Sequence, residues 1–192
     1  MDQAEQLRNI IKAHNHTQKP VARVLTVTSG KGGVGKSNTS INLAIQFRKM
    51  GLKVIILDAD FGLANIEIMF GAVPKYNLSD LIYEGKNIKE IITKGPMGVG
   101  FISGGSGVAG LSNLTQDNIQ CIVQSLAELD SLADIVIVDT GAGISDAVME
   151  FLVASGEILL VTTPEPTSIT DSYSLLKALS RHPKYAREDT KI

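Results

Sequence analysis

Gly30, Gly35, Lys36 and Ser37 stand at the spacing G-x-x-x-x-G-K-[ST], the pattern of a loop that wraps a phosphate chain. Phosphates need many donors at short range, and backbone N–H groups supply them where no Cβ blocks the approach. Gly30, Gly32, Gly33 and Gly35 clear that space. The residues that follow carry a helical pattern, so unpaired first-turn N–H groups and the positive end of the helix dipole face the anion. Lys36 is placed to reach the β and γ phosphates and Ser37 to set its hydroxyl on Mg2+, with Val34 and Asn38 in the same cradle.

Three aspartates follow apolar runs. Asp58 and Asp60 come at the end of KVIILD, residues 53–58, and Asp139 ends IVIVD, residues 135–139. Open α/β sheets put ligand chemistry at the carboxyl ends of such strands. Asp139 is the natural carboxylate to hold Mg2+ through a water, and Gly141 and Gly143 give the next loop freedom to respond to a γ-phosphate. Asp58 and Asp60 have an alternative use as caps of the helix that follows. Lys31, directly after the first glycine, reads from spacing alone as a solvated loop lysine.

The elements that must position these residues are legible as alternating apolar runs and helical patterns. Residues 21–44 read as strand, loop and helix, the helix stopping at Gly51 as a left-handed cap. Further strands are expected at 53–58, 99–102, 135–139 and 157–162, and helices at 115–129, capped near Thr115 or Asp117, and at 168–179. Leu78, Leu81 and Ile82, then Ile88, Ile91 and Ile92, suggest two short helices separated by Gly85, and the glycine-rich stretch after residue 102 reads as a simple turn. Strands alternating with helices predict a mostly parallel sheet with helices on both faces. At the front, residues 2–15 place Ala4, Leu7, Ile10 and Ile11 on one helical stripe, a short amphipathic helix that needs a surface to lie on. A polar linker, 16–20, joins it to the 21–192 domain; His14 and His16 lack a third ligand and read as solvated.

Bulk properties narrow the classes. At 192 residues one compact domain is the default, and 44% hydrophobic with 20% charged residues suits a soluble globular protein. A formal charge of −2 gives no basic surface, so no nucleic-acid partner is expected. The single Cys121 allows no internal disulfide, which fits the cytoplasm, and no signal peptide or membrane-spanning run is evident.

The ordered set SGKGGVGKS, DADFGLAN, DTGAGIS and TTPEPTSITDSYSLLK resembles the MinD/ParA group of P-loop ATPases from residue 21 to 180. The resemblance implies ATP and Mg2+ as ligands and Lys31, with Lys36 and Asp60, as catalytic residues. In that group the early lysine crosses a dimer interface to the partner's nucleotide, a trans cation like an arginine finger, worth ~10³ to 10⁵ in rate for the arginine case. It also implies that Asp60 positions the attacking water, that Asp58 lies near the Mg2+ shell with Ser37 and Asp139, and that Glu165 lies near the dimer interface and the ribose. A homodimer in the ATP state follows.

Within the group, the front helix and the DTGAG variant, where MinD usually has proline at the place of Gly141, are similar to the flagellar number and placement regulators FlhG, also called YlxH or FleN. There a leading DQAxxLR motif, here Asp2, Gln3, Ala4, Leu7 and Arg8, binds the signal-recognition-type GTPase FlhF and stimulates it. The same helix at these few matched positions has an intramolecular alternative. The family continues to a base-recognition loop and a C-terminal amphipathic helix that binds the inner face of the cell membrane, whereas REDTKI ends this chain, so a C-terminally truncated fold is expected. Rival readings are a division-site MinD, a DNA-partition ATPase, disfavoured by charge, and an iron–sulfur scaffold relative, disfavoured by the lone Cys121.

Overall fold

The computed structural model describes residues 21–61, 65–105 and 114–192. The front helix expected at 2–15, its motif residues, His14 and His16 lie outside the described residues, as do 106–113 of the glycine-rich turn.

The chain forms β1 (Arg23–Ser29), α1 (Lys36–Lys49), β2 (Val54–Ala59), α2 (Asn65–Phe70), α3 (Leu78–Tyr83), β3 (Thr93–Lys94), β4 (Gly100–Ile102), α4 (Gln116–Ser125), β5 (Ile135–Ala142), α5 (Asp146–Ala154), β6 (Glu157–Leu160), α6 (Pro166–Leu179) and β7 (Thr190–Lys191). The strands make one seven-stranded sheet in the order β3-β4-β2-β5-β1-β6-β7. Only β3 runs antiparallel, on β4. Every residue of β2 is buried, as a strand covered on both faces requires. Its alternate side chains serve two cores. Ile55 and Leu57 join Val136 and Val138 under α3, α4 and α5, while Val54 and Ile56 join Ile135 and Ile137 under α1 and α2.

Local signals set most helix ends. Gly51 takes φ 88° after α1, and Thr115 caps α4 in a reciprocal box with Asn118. The helix expected at 115–129 tightens into a 3₁₀ segment from Leu126 to Ser131 without losing its buried stripe. Pro166 opens α6 two residues earlier than expected, because its missing N–H is no loss in a first turn.

Three differences from the sequence reading have identifiable causes. The second short helix, around residues 88–92, does not form: Asn87 accepts the Lys89 N–H, and its own N–H is taken by Glu90. This turn buries Ile88 and Ile91 without a helix. α5, for which no helix was expected, is capped by Ser145 and buries Val148, Phe151 and Leu152 at helical spacing. The two-residue edge strands β3 and β7 carry no periodicity of their own and exist only by pairing.

One contact fixes the loop after β1. A Cβ on Gly30 would stand 2.2 Å from the Asp171 carbonyl carbon and 2.4 Å from the Ser172 nitrogen, so loop and α6 meet backbone to backbone. Gly32, by contrast, faces open space. Gly30→Ala should lower unfolding free energy by about 3 kcal/mol, measured by chemical denaturation, and Gly32→Ala should stay within about 0.5 kcal/mol of wild type.

Candidate functional site

The carboxyl ends of β1, β2 and β5 are neighbours in the sheet, so the loops that leave them converge. The loop after β1 turns through Gly33 at φ 78° and Gly35 at φ 98°, values that a side chain strongly disfavours. Gly35 is the N-cap of α1, and no side chain caps that helix, which leaves its first-turn amides available to an anion. The loop glycines are thus required for different reasons: Gly33 and Gly35 for their backbone angles, Gly30 for the approach of α6, and Gly32 is open to the site. Lys36, Ser37 and Asn38 of α1, with Asp60 and Asn65, line a cavity of about 510 Å³. Val34 lies on a separate groove along the outside of α1, which Asn38 also borders.

The aspartates differ in what holds them. Asp58 and Asp139 are register partners on β2 and β5, and both are fully buried. Burial is the main cause that pushes the Asp58 carboxyl up to about 7, with the nearby Asp139 charge adding to it. Amides oppose that shift: Asp58 accepts N–H bonds from Asp60 at 3.2 Å and from Ile66 at 3.0 Å. Asp58 therefore holds the start of α2, as the capping alternative has it. Asp139 is also raised by burial, against the nearby Ser37 hydroxyl, the Ser40 hydrogen bond and the Lys36 charge. Ser40 donates to its Oδ1 at 2.9 Å, while Oδ2 is buried with no formed hydrogen bond. Asp60 faces the phosphate cavity and accepts from the Asn65 side-chain amide at 3.3 Å.

Lys31 does not point into this cavity. Its Nζ donates to Glu165 at 3.0 Å and to Thr167 at 2.9 Å, at the start of α6. Glu165, expected near a ribose, is here the N-cap residue of α6 and the ion-pair partner of Lys31.

A family model described as ParA, NUBPL iron-transfer P-loop NTPase, matches residues 20–182. The chain belongs to the ParA family of P-loop NTPases. It is 42% identical over 159 residues to the antiactivator FleN of Pseudomonas aeruginosa, covering 83% of this chain and 57% of that protein. With the flagellum site-determining protein YlxH of Helicobacter pylori it shares 38% over 186 residues, 94% of this chain and 63% of that one. The septum site-determining protein MinD of Pyrococcus horikoshii, solved with Mg-ADP, has the same fold at a TM-score of 0.73 and 24% identity, over 83% of this chain and 65% of that chain. The chain thus spans about three fifths of the curated relatives it matches. No helix among the described residues is long and apolar enough to cross a membrane.

The donor set suits the Mg2+ that a ParA-family P-loop implies. The unpartnered Oδ2 of Asp139 and the adjacent Ser37 hydroxyl are hard oxygen donors. Mg2+ takes one or two protein oxygens and otherwise keeps water. Sequence reasoning missed Ser40, Asn65 and Thr167. Ser40 left a trace, a polar residue one turn after Lys36 on the face that Ile41 and Ala44 bury.

The Asp58 shift has a consequence for stability. Its folded pKa lies above the unfolded value of 3.8, so its stabilising contribution is complete below about pH 4 and is lost as pH rises through about 7. In nucleotide-free protein, the melting temperature of Asp58→Asn relative to wild type should therefore rise steadily between about pH 4 and about pH 7. A pH-independent difference would show that Asp58 is already ionised in the folded state.

Proposed function

We propose that this chain is an ATP-driven dimerisation switch, a slow ATPase that regulates flagellar number or placement. The observation that carries the reading is that the glycine loop, Lys36 and Asp60 share one cavity while Lys31, an ammonium one residue into the loop, is turned out of it toward Glu165. The free amides of α1 and Lys36 bind the phosphates, and Ser37 and Asp139 hold Mg2+, with Asp58 supporting from behind. The ion supplies charge neutralisation on the phosphate oxygens. Asp60 accepts a hydrogen bond from the attacking water and orients it. Lys31, released from Glu165 and Thr167, reaches the nucleotide of a second copy and offsets charge developing on the phosphoryl group. Hydrolysis removes that partner charge and returns monomers.

The flagellar assignment is supported by the names of the relatives, an antiactivator and a flagellum site-determining protein. Asp2, Gln3, Ala4, Leu7 and Arg8 form a second module, residues 1–20, that binds and activates an FlhF-type GTPase without chemistry of its own. In the whole protein, attachment to the inner face of the membrane accompanies the ATP dimer. Division-site selection is the second reading, favoured by likeness to MinD of Synechocystis, 32% identical over 154 residues.

ATP turnover per chain should rise with protein concentration. Lys31→Ala should abolish the rise with nucleotide affinity retained, and Asp60→Ala should cut turnover by ~100-fold or more; normal hydrolysis by Asp60→Ala would overturn the site assignment. Mixed with the flagellar GTPase, the chain should raise GTP turnover. That rise should vanish in Gln3→Ala and survive in Asp60→Ala; no rise with an active GTPase would remove the second module and favour a MinD-like role.

A further inference from the structure

Asp60 stands between two cavities. One is the phosphate cavity of about 510 Å³ that Lys36 and Ser37 line. The other, of about 370 Å³, lies against Phe61, Ile119, Gly141 and the start of α5 at Ser145. Gly141 borders the second cavity and not the first.

A Cβ built on Gly141 would stand 3.2 Å from Oδ1 of Asp60 and 3.8 Å from its Cγ, with no other atom of the described residues within 4 Å beyond its chain neighbours. Among the described residues, the group that a side chain at 141 would press on is the carboxylate of Asp60. The other oxygen of that carboxylate, Oδ2, accepts from Asn65 on α2. Asp60 thus lies between the Asn65 amide of α2 and the space that a side chain at Gly141, near the end of β5, would fill. Gly141 has no positive φ, so what a side chain there would change is the neighbouring carboxylate and not the turn.

We infer that Gly141 is a positioning residue for Asp60: the absence of its Cβ sets how far the carboxylate can lie back against β5, and hence where it meets the attacking water. The inference rests on the reading of Asp60 as the group that orients that water. A carbon 3.2 Å from a carboxylate oxygen lies inside ordinary contact distance, so Asp60 must yield by a few tenths of an ångström. Displacement of a catalytic group by about 1 Å lowers rate by ~10²-fold, and a few tenths therefore by about 4- to 10-fold. The phosphate loop is untouched, because Gly141 does not reach its cavity.

The experiment compares wild type, Gly141→Ala and Gly156→Ala, the last a glycine with nothing within 4 Å and no positive φ, and measures single-turnover ATP hydrolysis, ATP affinity and melting temperature on the full chain. Gly141→Ala should lower the hydrolysis rate by about 4- to 10-fold with ATP affinity within about twofold of wild type, and Gly156→Ala should leave both unchanged. A Gly141→Ala rate within twofold of wild type overturns the inference. So does a loss of affinity or melting temperature in step with the rate, which assigns Gly141 a structural role. Asp60→Ala, run alongside, separates the two layers. If it hydrolyses normally, the reading of Asp60 fails; if it is inactive while Gly141→Ala is fully active, only the positioning role fails.

Discussion

Two buried carboxylates side by side, Asp58 and Asp139, are the constraint on which the rest of the site depends. Each is taken wholly out of water on adjacent strands, and burial raises both. A buried carboxylate without partners is expensive, by several kcal/mol or more on transfer alone, so the surrounding elements are fixed by the need to supply them. α1 supplies Ser37, Ser40 and the Lys36 charge to Asp139; the turn into α2 supplies two amides to Asp58. The register of β2 on β5, which pairs Asp58 with Asp139, makes these one problem. A movement of α2 cannot leave Asp58 unaffected, and a change of charge beside Asp139 is felt at the same place.

On the other side of the phosphate loop the contact is of a different kind. Gly30 meets the backbone of α6 with no room for a side chain, a stiff steric contact, whereas Lys31 reaches the first turn of the same helix through an ion pair whose partners are 37% and 62% exposed. Exposed pairs of this sort contribute roughly 0–1 kcal/mol. The loop is therefore anchored to α6 by packing and only lightly by charge. This combination lets the Lys31 side chain part from α6 while the loop stays where it is.

Much of this was legible in residues 21–61 and 135–142. The strand, glycine loop and helix of β1 and α1, the apolar run Val54 to Leu57 that opens β2 and the short apolar run of β5 are patterns that the chain carries locally, and they predict the sheet and its helices. Thr115 and Gly51 mark helix ends for the same reason, since each acts on its own backbone, whereas Pro166, read as part of the turn, opens α6. The helix expected around residues 88–92 did not form because Asn87 and Glu90 close a turn on themselves, a local competition that apolar spacing does not register. β3 and β7 were illegible in principle, being two residues each and defined by their neighbours.

The sequence by itself determined the chemistry of the phosphate loop, because glycine angles, the lysine, the serine and their spacing act within a few residues of chain. It also determined the alternation of strands and helices, which follows from apolar periodicity. The tertiary structure alone decided what each charged group meets: Asp58 with the Ile66 amide of α2, Asp139 with Ser40 across 99 residues, Lys31 with Glu165 across 134, and Asp60 with the Asn65 amide beside the space at Gly141. Those encounters depend on strand order and register. A β5 placed between β1 and β2 is a property of the assembled sheet, and no single segment of the chain contains it.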